Sequence, residues 1–282
     1  MVYKESFLRG GNTTDEFGHG THIAGIIAGD GDASSGDGSF FTLKGVAPGV
    51  SLINLRVLDA NGQGTDSAVI AAIDRAIQLK SRYNIRVINL SLGRPVFESY
   101  TRDPLCQAVE RAWKAGIVVV VAAGNQGRNN AAGTNGYGTI QSPANDPYVI
   151  TVGAMKTFDT ESRADDRIAT YSSKGPTLFD HVVKPDLVAA GNWIASTIHA
   201  PSSTTLGKQS PGNVVPLSEY TRGNSGESDR YMWLSGTSMA APMVSAAAAL
   251  LLERTPTLNP DQVKARLMKR DRKSTRLNSS HT

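Results

Sequence analysis

From residue 51 onward, short apolar runs alternate with amphipathic stretches, and that alternation leaves few folds open to this chain. Residues 51–58 (SLINLRVL) predict a strand, 66–80 an amphipathic helix, and 86–92 (RVINLSL) a second strand. Asp103 is placed to cap a helix with Pro104 at its first position. Gly116 ends that helix before the strands predicted at 117–123 and 149–154. Strands that alternate with helices build right-handed βαβ units around a buried parallel sheet. The expected fold class is therefore α/β: three layers, a mostly parallel β-sheet with helices on both faces. Such a sheet presents ligands to the carboxyl ends of its strands. Here those ends are the Gly- and Asn-rich pieces 59–65, 91–95 and 123–127. The Ser-, Gly- and Pro-rich stretch 200–229 reads as a long surface loop, and residues 1–270 read as one domain.

Charge and cysteine content remove several classes of function. The formal net charge is +4, and residues 271–282 carry Arg272, Lys273 and Arg276 against Asp271, half of that excess. This tail resembles the translation of a short-read sequencing adapter and is set aside as non-native. Without it there is no basic patch of the kind nucleic-acid binding requires. No apolar run approaches the ~18 residues that cross a bilayer. The single cysteine, Cys106, precludes an internal disulfide framework and reads as a plain buried thiol. The expected partners are polypeptides, with no nucleic acid and no membrane, and the expected state is a monomer. The amino terminus has no apolar core of a secretory signal, and localisation is left open.

Three segments carry chemistry: Gly18-His19-Gly20-Thr21-His22, Ala122-Ala123-Gly124-Asn125, and Gly236-Thr237-Ser238-Met239-Ala240. Singly, each has a structural explanation in turns, a core histidine or a helix cap. Together they supply what acyl transfer needs. A serine is a weak nucleophile until a base takes its proton. The oxyanion that follows needs donors aimed at it. Ser238 stands where a loop gives way to an alanine-rich helix, predicted over 239–253 with Pro242 in its first turn, where backbone N–H groups are unpaired. His19 can act as base, and the Asn125 amide can donate. Gly-x-Ser-x-Ala is not the nucleophile elbow of α/β-hydrolases, and neither Ser-x-x-Lys nor His-Glu-x-x-His occurs.

In this order the three segments resemble the histidine, oxyanion-asparagine and serine motifs of the subtilisin family of serine peptidases, the subtilases. Lys184-Pro185-Asp186-Leu187-Val188 is most similar to the AprX-type bacterial branch. The resemblance implies a serine endopeptidase with Ser238 as nucleophile, His19 as general base and Asn125 as oxyanion donor, and His22 as a structural histidine. The alternative is a catalytically silent peptide-binding relative. It further implies that Gly62, Gln63 and Gly64 on one side, and Ser91, Leu92 and Gly93 on the other, pair with substrate backbone as strands. Gln141 then falls at the base of the primary specificity pocket, where many relatives have glycine; the other reading points it to solvent.

The resemblance also exposes a gap. The family's catalytic aspartate lies in Asp-Ser/Thr-Gly upstream of the histidine, and none of the eighteen residues before His19 forms that motif. Asp15, the one aspartate there, reads as a loop residue. The expectation is an N-terminally truncated chain without its first sheet strand, inactive or weak as it stands. No cofactor is required by this chemistry. Relatives often bind structural calcium near the place of Asp30, Asp32 and Asp37, but this Gly/Ser loop lacks the ligand pattern of an EF-hand and reads as solvated, with no metal site assigned.

Overall fold

The structure, a computed structural model, describes residues 1–36, 38–160 and 162–277, with side chains through residue 269. Strand β1 (Tyr3–Ser6) pairs in parallel with β2 (Ile53–Arg56), from Tyr3 opposite Ile53 to Ser6 opposite Arg56. Between them in sequence lies helix α1 (His19–Ala28). Helix α2 (Asp66–Tyr83) then leads to β3 (Val87–Leu90), and α3 (Pro104–Lys114) to β4 (Val118–Ala122). The sheet continues through β5 (Ile150–Lys156), with a short antiparallel β6 (Arg167–Ile168) and a parallel β7 (Leu187–Ala190) both on β5. The long helix α5 (Thr237–Arg254) lies against β3, β4, β5 and β7, while α2 and α3 pack on one another. This is the expected three-layer α/β arrangement, and every residue of β4 is buried.

Two expectations need correction. The strands do not form one continuous sheet: β1 and β2 stand apart from β3–β4–β5, with no pairing between β2 and β3. Residues 200–229 are also more than a surface loop. They contain a short helix α4 (Thr205–Gln209), β9 (Val214–Pro216) and the start of β10 (Glu227–Leu234), which joins β8 (Ile194–Thr197) and β9 in an antiparallel sheet. Val215, Tyr220 and Tyr231 close a small core there, with the two tyrosine rings edge to face at 5.3 Å. The polar composition conceals this core because a few large side chains make all of it. The last helix, α6 (Pro260–Leu277), runs into the tail segment; residues 278–282 lie outside the described residues.

Capping follows the sequence closely. The Asp103 carboxylate accepts from Leu105 N–H at 2.9 Å and heads α3, with Pro104 following it. Buried Asp103 also receives Arg94 at 2.8 Å and the Ser142 hydroxyl at 2.8 Å, while Arg94 reaches Asp66 at 2.8 Å. One guanidinium thus fixes the loop after β3 to the starts of two helices. A charge this far from water needs such partners. Cys106 is fully buried, and desolvation pushes its thiol far up, so it is an inert packing residue.

Asp146 is a second buried acid in this region, and burial raises it to about 7, with one carboxylate oxygen lacking any hydrogen-bond partner. The folded protein therefore holds a proton that the unfolded chain releases near pH 4, and stability falls as pH rises from about 4 to about 7. The shift corresponds to about 4 kcal/mol. His22, held near 4, acts oppositely below about pH 6.5, and Lys184, near 8, changes only above that window. Asp146→Asn keeps the acceptor used by Tyr148 N–H and removes the ionisation. Relative to the parent, the variant is expected to gain thermal stability as pH rises from about 4 to about 7, and to level off above it. Parallel pH profiles of the two melting temperatures would refute this.

Candidate active site

Helix α1 begins at His19, and Gly18 before it has φ 101°, a left-handed conformation that glycine adopts without penalty. Asp15 caps this helix. Its Oδ1 accepts from Gly18 N–H at 2.8 Å, and its Oδ2 from Thr21 N–H at 2.6 Å and the Thr21 hydroxyl at 2.8 Å. Both oxygens are committed, so Asp15 is structural and supports His19 only through its charge. Burial lowers the His19 pKa, and the nearby Asp15 charge partly opposes this. The ring is therefore neutral at neutral pH and able to accept a proton. His22 differs: fully buried, it hydrogen-bonds the Met232 carbonyl through Nε2 at 2.9 Å, tying α1 to β10. At Gly25 any side chain would collide with Ser196 and Thr197 of β8, so the glycine lets helix and strand touch.

Ser238 is the second residue of α5, whose start at Thr237 lies two residues before the predicted one. Pro242 consequently falls within the helix and not in its first turn. Lacking an N–H, it cannot bond the carbonyl four residues back, which belongs to Ser238. The Ser91 hydroxyl takes that place, donating to Ser238 O at 2.8 Å. Ser91 Oγ in turn accepts from Asn89 Nδ2 at 3.0 Å, and Asn89 Oδ1 accepts from the Ser245 hydroxyl at 2.8 Å. The Ser238 hydroxyl rests on Ser91 O at 3.4 Å. The sequence assigned no role to Asn89 or Ser245; the signal was the proline four residues after the serine.

Asn125 follows the end of β4. Its Oδ1 accepts from Thr237 N–H at 2.9 Å and from the Thr237 hydroxyl at 3.0 Å. A backbone N–H can only donate, so the amide orientation is fixed and Nδ2 is turned away, with no acceptor among the described residues. A methyl group built on Gly236 would lie 3.3 Å from Asn125 Nδ2 and 3.6 Å from Ser238 N. The two donors therefore flank one small space at the positive end of α5, a geometry suited to a developing oxyanion. Thr237 is a further residue that the motif contained but only the structure gave a role.

The expected substrate segments lie around this centre. Gly93 N–H and C=O carry no hydrogen bond among the described residues, and the same holds for Gly62 C=O and Gly64 N–H. Gln63 faces its own turn instead: its N–H donates to Asp59 Oδ1 at 2.9 Å and its carbonyl accepts from Asp59 N–H at 2.8 Å. Leu92 packs on the main core. Gln141 lies between Gly93 and Gly124. A methyl group on Gly93 would stand 3.0 Å from Gln141 Oε1, and one on Gly124 2.8 Å from Gln141 Cγ. Asp30 accepts from Asp32 N–H at 3.2 Å, Asp37 lies outside the described residues, and no cluster of three metal-ligating side chains occurs among the rest. No described helix is long and apolar enough to cross a membrane.

This geometry has known counterparts. The chain is 39% identical to serine protease AprX of Bacillus subtilis over 89% of its own length and 52% of that protein, so it spans about half of that relative. Subtilisin DY of Bacillus licheniformis is 37% identical over 95% of this chain and 75% of its own. The solved structure of sphericase superposes with a TM-score of 0.69 at 28% identity, covering 95% of this chain and 76% of that one. The model of the subtilase family matches residues 5–282. The chain belongs to the subtilase family.

Proposed function

We infer that this chain is the catalytic part of a serine endopeptidase, in which Ser238 attacks the peptide carbonyl and His19 takes its proton. The observation that carries this reading is the pair of free donors, Asn125 Nδ2 and Ser238 N–H, converging beside the nucleophile. A silent binding protein has no physical need for such a pair. His19 passes the proton to the leaving amine, and water repeats the attack on the acyl-enzyme. Substrate enters as an extended strand between Gly93 on one side and Gly62 and Gly64 on the other, read through main-chain hydrogen bonds. Acylation by a fluorophosphonate probe, traced to Ser238 by mass spectrometry, tests the assignment.

Activity of residues 1–282 alone is expected to be weak. Among the described residues no carboxylate hydrogen-bonds His19, because Asp15 is fully engaged. In subtilisin, a relative, loss of the aspartate alone lowers kcat by ~3 × 10⁴. We propose the AprX-type branch as a functional parallel, with no cofactor in the chemistry, a monomeric state, and no role for nucleic acid or membrane.

Gln141 sets the depth of the primary pocket in this reading, since its amide occupies the space between Gly93 and Gly124. An aromatic side chain entering there must displace that amide or bury it without a partner, which costs ~1–3 kcal/mol. Gln141→Gly is expected to raise the kcat/KM ratio of Phe- over Leu-containing peptides by ~5-fold or more. An unchanged ratio removes Gln141 from the pocket and leaves the peptidase assignment standing.

A further inference from the structure

Trp193, in the turn after β7, is 60% exposed, whereas tryptophan is on average a well-buried residue. Its backbone is left-handed, with φ 54°, which costs free energy in a bulky residue. The turn is fastened to the loop that leads to the nucleophile. Trp193 N–H donates to Ser235 Oγ at 2.9 Å, and Gly236 N–H donates to Gly191 O at 2.8 Å. The Tyr171 hydroxyl donates to the same carbonyl at 2.7 Å. The indole itself stands edge to face against Trp233, with ring centroids 5.8 Å apart. Side chains of β8 and β10 alternate between two faces. Ile194, Met232 and Leu234 turn inward to Ile23 and Ile26 of α1, while Ala195 and Trp233 pack on the minor core. Trp193 extends that second face to its edge beside the serine loop and leaves it open to solvent.

The parallel strands stand in the order β3, β4, β5, β7, and the site residues follow their carboxyl ends in that order. Gly93 comes after β3, Asn125 after β4 and Trp193 after β7. The acyl half of the substrate lies between Gly93 and the loop of Gly62 and Gly64, with the scissile carbonyl at Asn125. The half beyond the scissile bond therefore leaves on the opposite flank, where Trp193 stands. We propose that Trp193, backed by Trp233, binds the leaving-group half of the substrate and selects an aromatic or large apolar side chain there. The proposal rests on the peptidase reading and gives the cleft a second specificity surface, on the other side of Ser238 from Gln141. An indole offers a broad apolar face, and aromatic partners gain from ring geometry beyond the area they bury. Because the turn is already fixed by its hydrogen bonds, little ordering cost falls on binding.

The test offers the leaving-group half as a free acceptor. A p-nitrophenyl ester acylates Ser238, and acceptor amines then compete with water for the acyl-enzyme. Attack of the amine on the acyl carbon forms the amide, breaks the bond to Ser238 Oγ and returns the proton to that oxygen through His19. Ala-Phe amide, Phe-Ala amide and Ala-Ala amide are supplied in equal amounts, and their products are quantified by mass spectrometry. A product ratio does not depend on how fast the chain turns over. One of the phenylalanine acceptors is expected to exceed Ala-Ala amide by ~5-fold or more. Trp193→Asn removes the indole, tolerates the left-handed backbone, and should bring that ratio to within about twofold of unity. Trp193→Phe should keep at least half of the preference. No preference in the parent, a preference that survives Trp193→Asn, or an equal loss in Trp193→Phe would each overturn the proposal. Trp193→Gly takes the place of the asparagine variant if that chain does not fold. An ester that leaves Ser238 unlabelled would overturn the peptidase reading itself, whereas a labelled serine with indifferent acceptors would overturn this proposal alone.

Discussion

Ser238→Ala is expected to abolish fluorophosphonate labelling and to reduce protein hydrolysis to the residue that binding and oxyanion donors alone provide. With the carboxylate partner of His19 present, that loss amounts to ~10⁶ in kcat in subtilisin, a relative, and His19→Ala should match it. The double variant should lose no more than either single one, since nucleophile and base act as a unit. Labelling that survives in Ser238→Ala would move the nucleophile elsewhere and dissolve the assignment. The hydrogen bond from Ser91 to the Ser238 carbonyl should persist in this variant, because it involves only backbone of residue 238. Its thermal stability should therefore stay close to the parent, separating lost chemistry from lost fold.

Asn125→Ala is expected to lower kcat by ~10²–10³ with little change in KM, the magnitude found for the corresponding donor in subtilisin. Charge on the substrate oxygen develops only in the transition state, so a donor aimed at it contributes little to ground-state binding. Asn125 also carries a structural contact, since its Oδ1 receives both Thr237 donors. Asn125→Asp separates the two roles: it retains an acceptor for Thr237 but has no proton to give, so it should lose kcat as severely as alanine. A variant changed only in KM would instead make Asn125 a residue of substrate binding.

Much of the fold was legible because strand, helix and cap are local matters. The apolar runs at 117–123 and 149–154 became β4 and β5, and Asp103 with Pro104 started α3. A period of apolar side chains and a capping oxygen act within a few residues, where sequence neighbours are also spatial neighbours. The three chemical motifs were legible for a related reason: each places its residue at a strand end or helix start through its own glycines. What sequence alone left undecided depends on partners far apart along the chain. The minor core of Val215, Tyr220 and Tyr231 needs β8, β9 and β10 brought together, and composition concealed it. Asp15 became a cap once α1 turned its N–H groups toward it. Gln63 lost its backbone to Asp59 through the closure of one turn. The Ser91 bond to Ser238 spans 147 positions in sequence, and only tertiary packing sets its length. The sequence by itself therefore determined on which elements the three motifs stand. The tertiary structure decided which donors are free to act and where the sheet is interrupted, because hydrogen-bond satisfaction and burial are properties of the assembled chain.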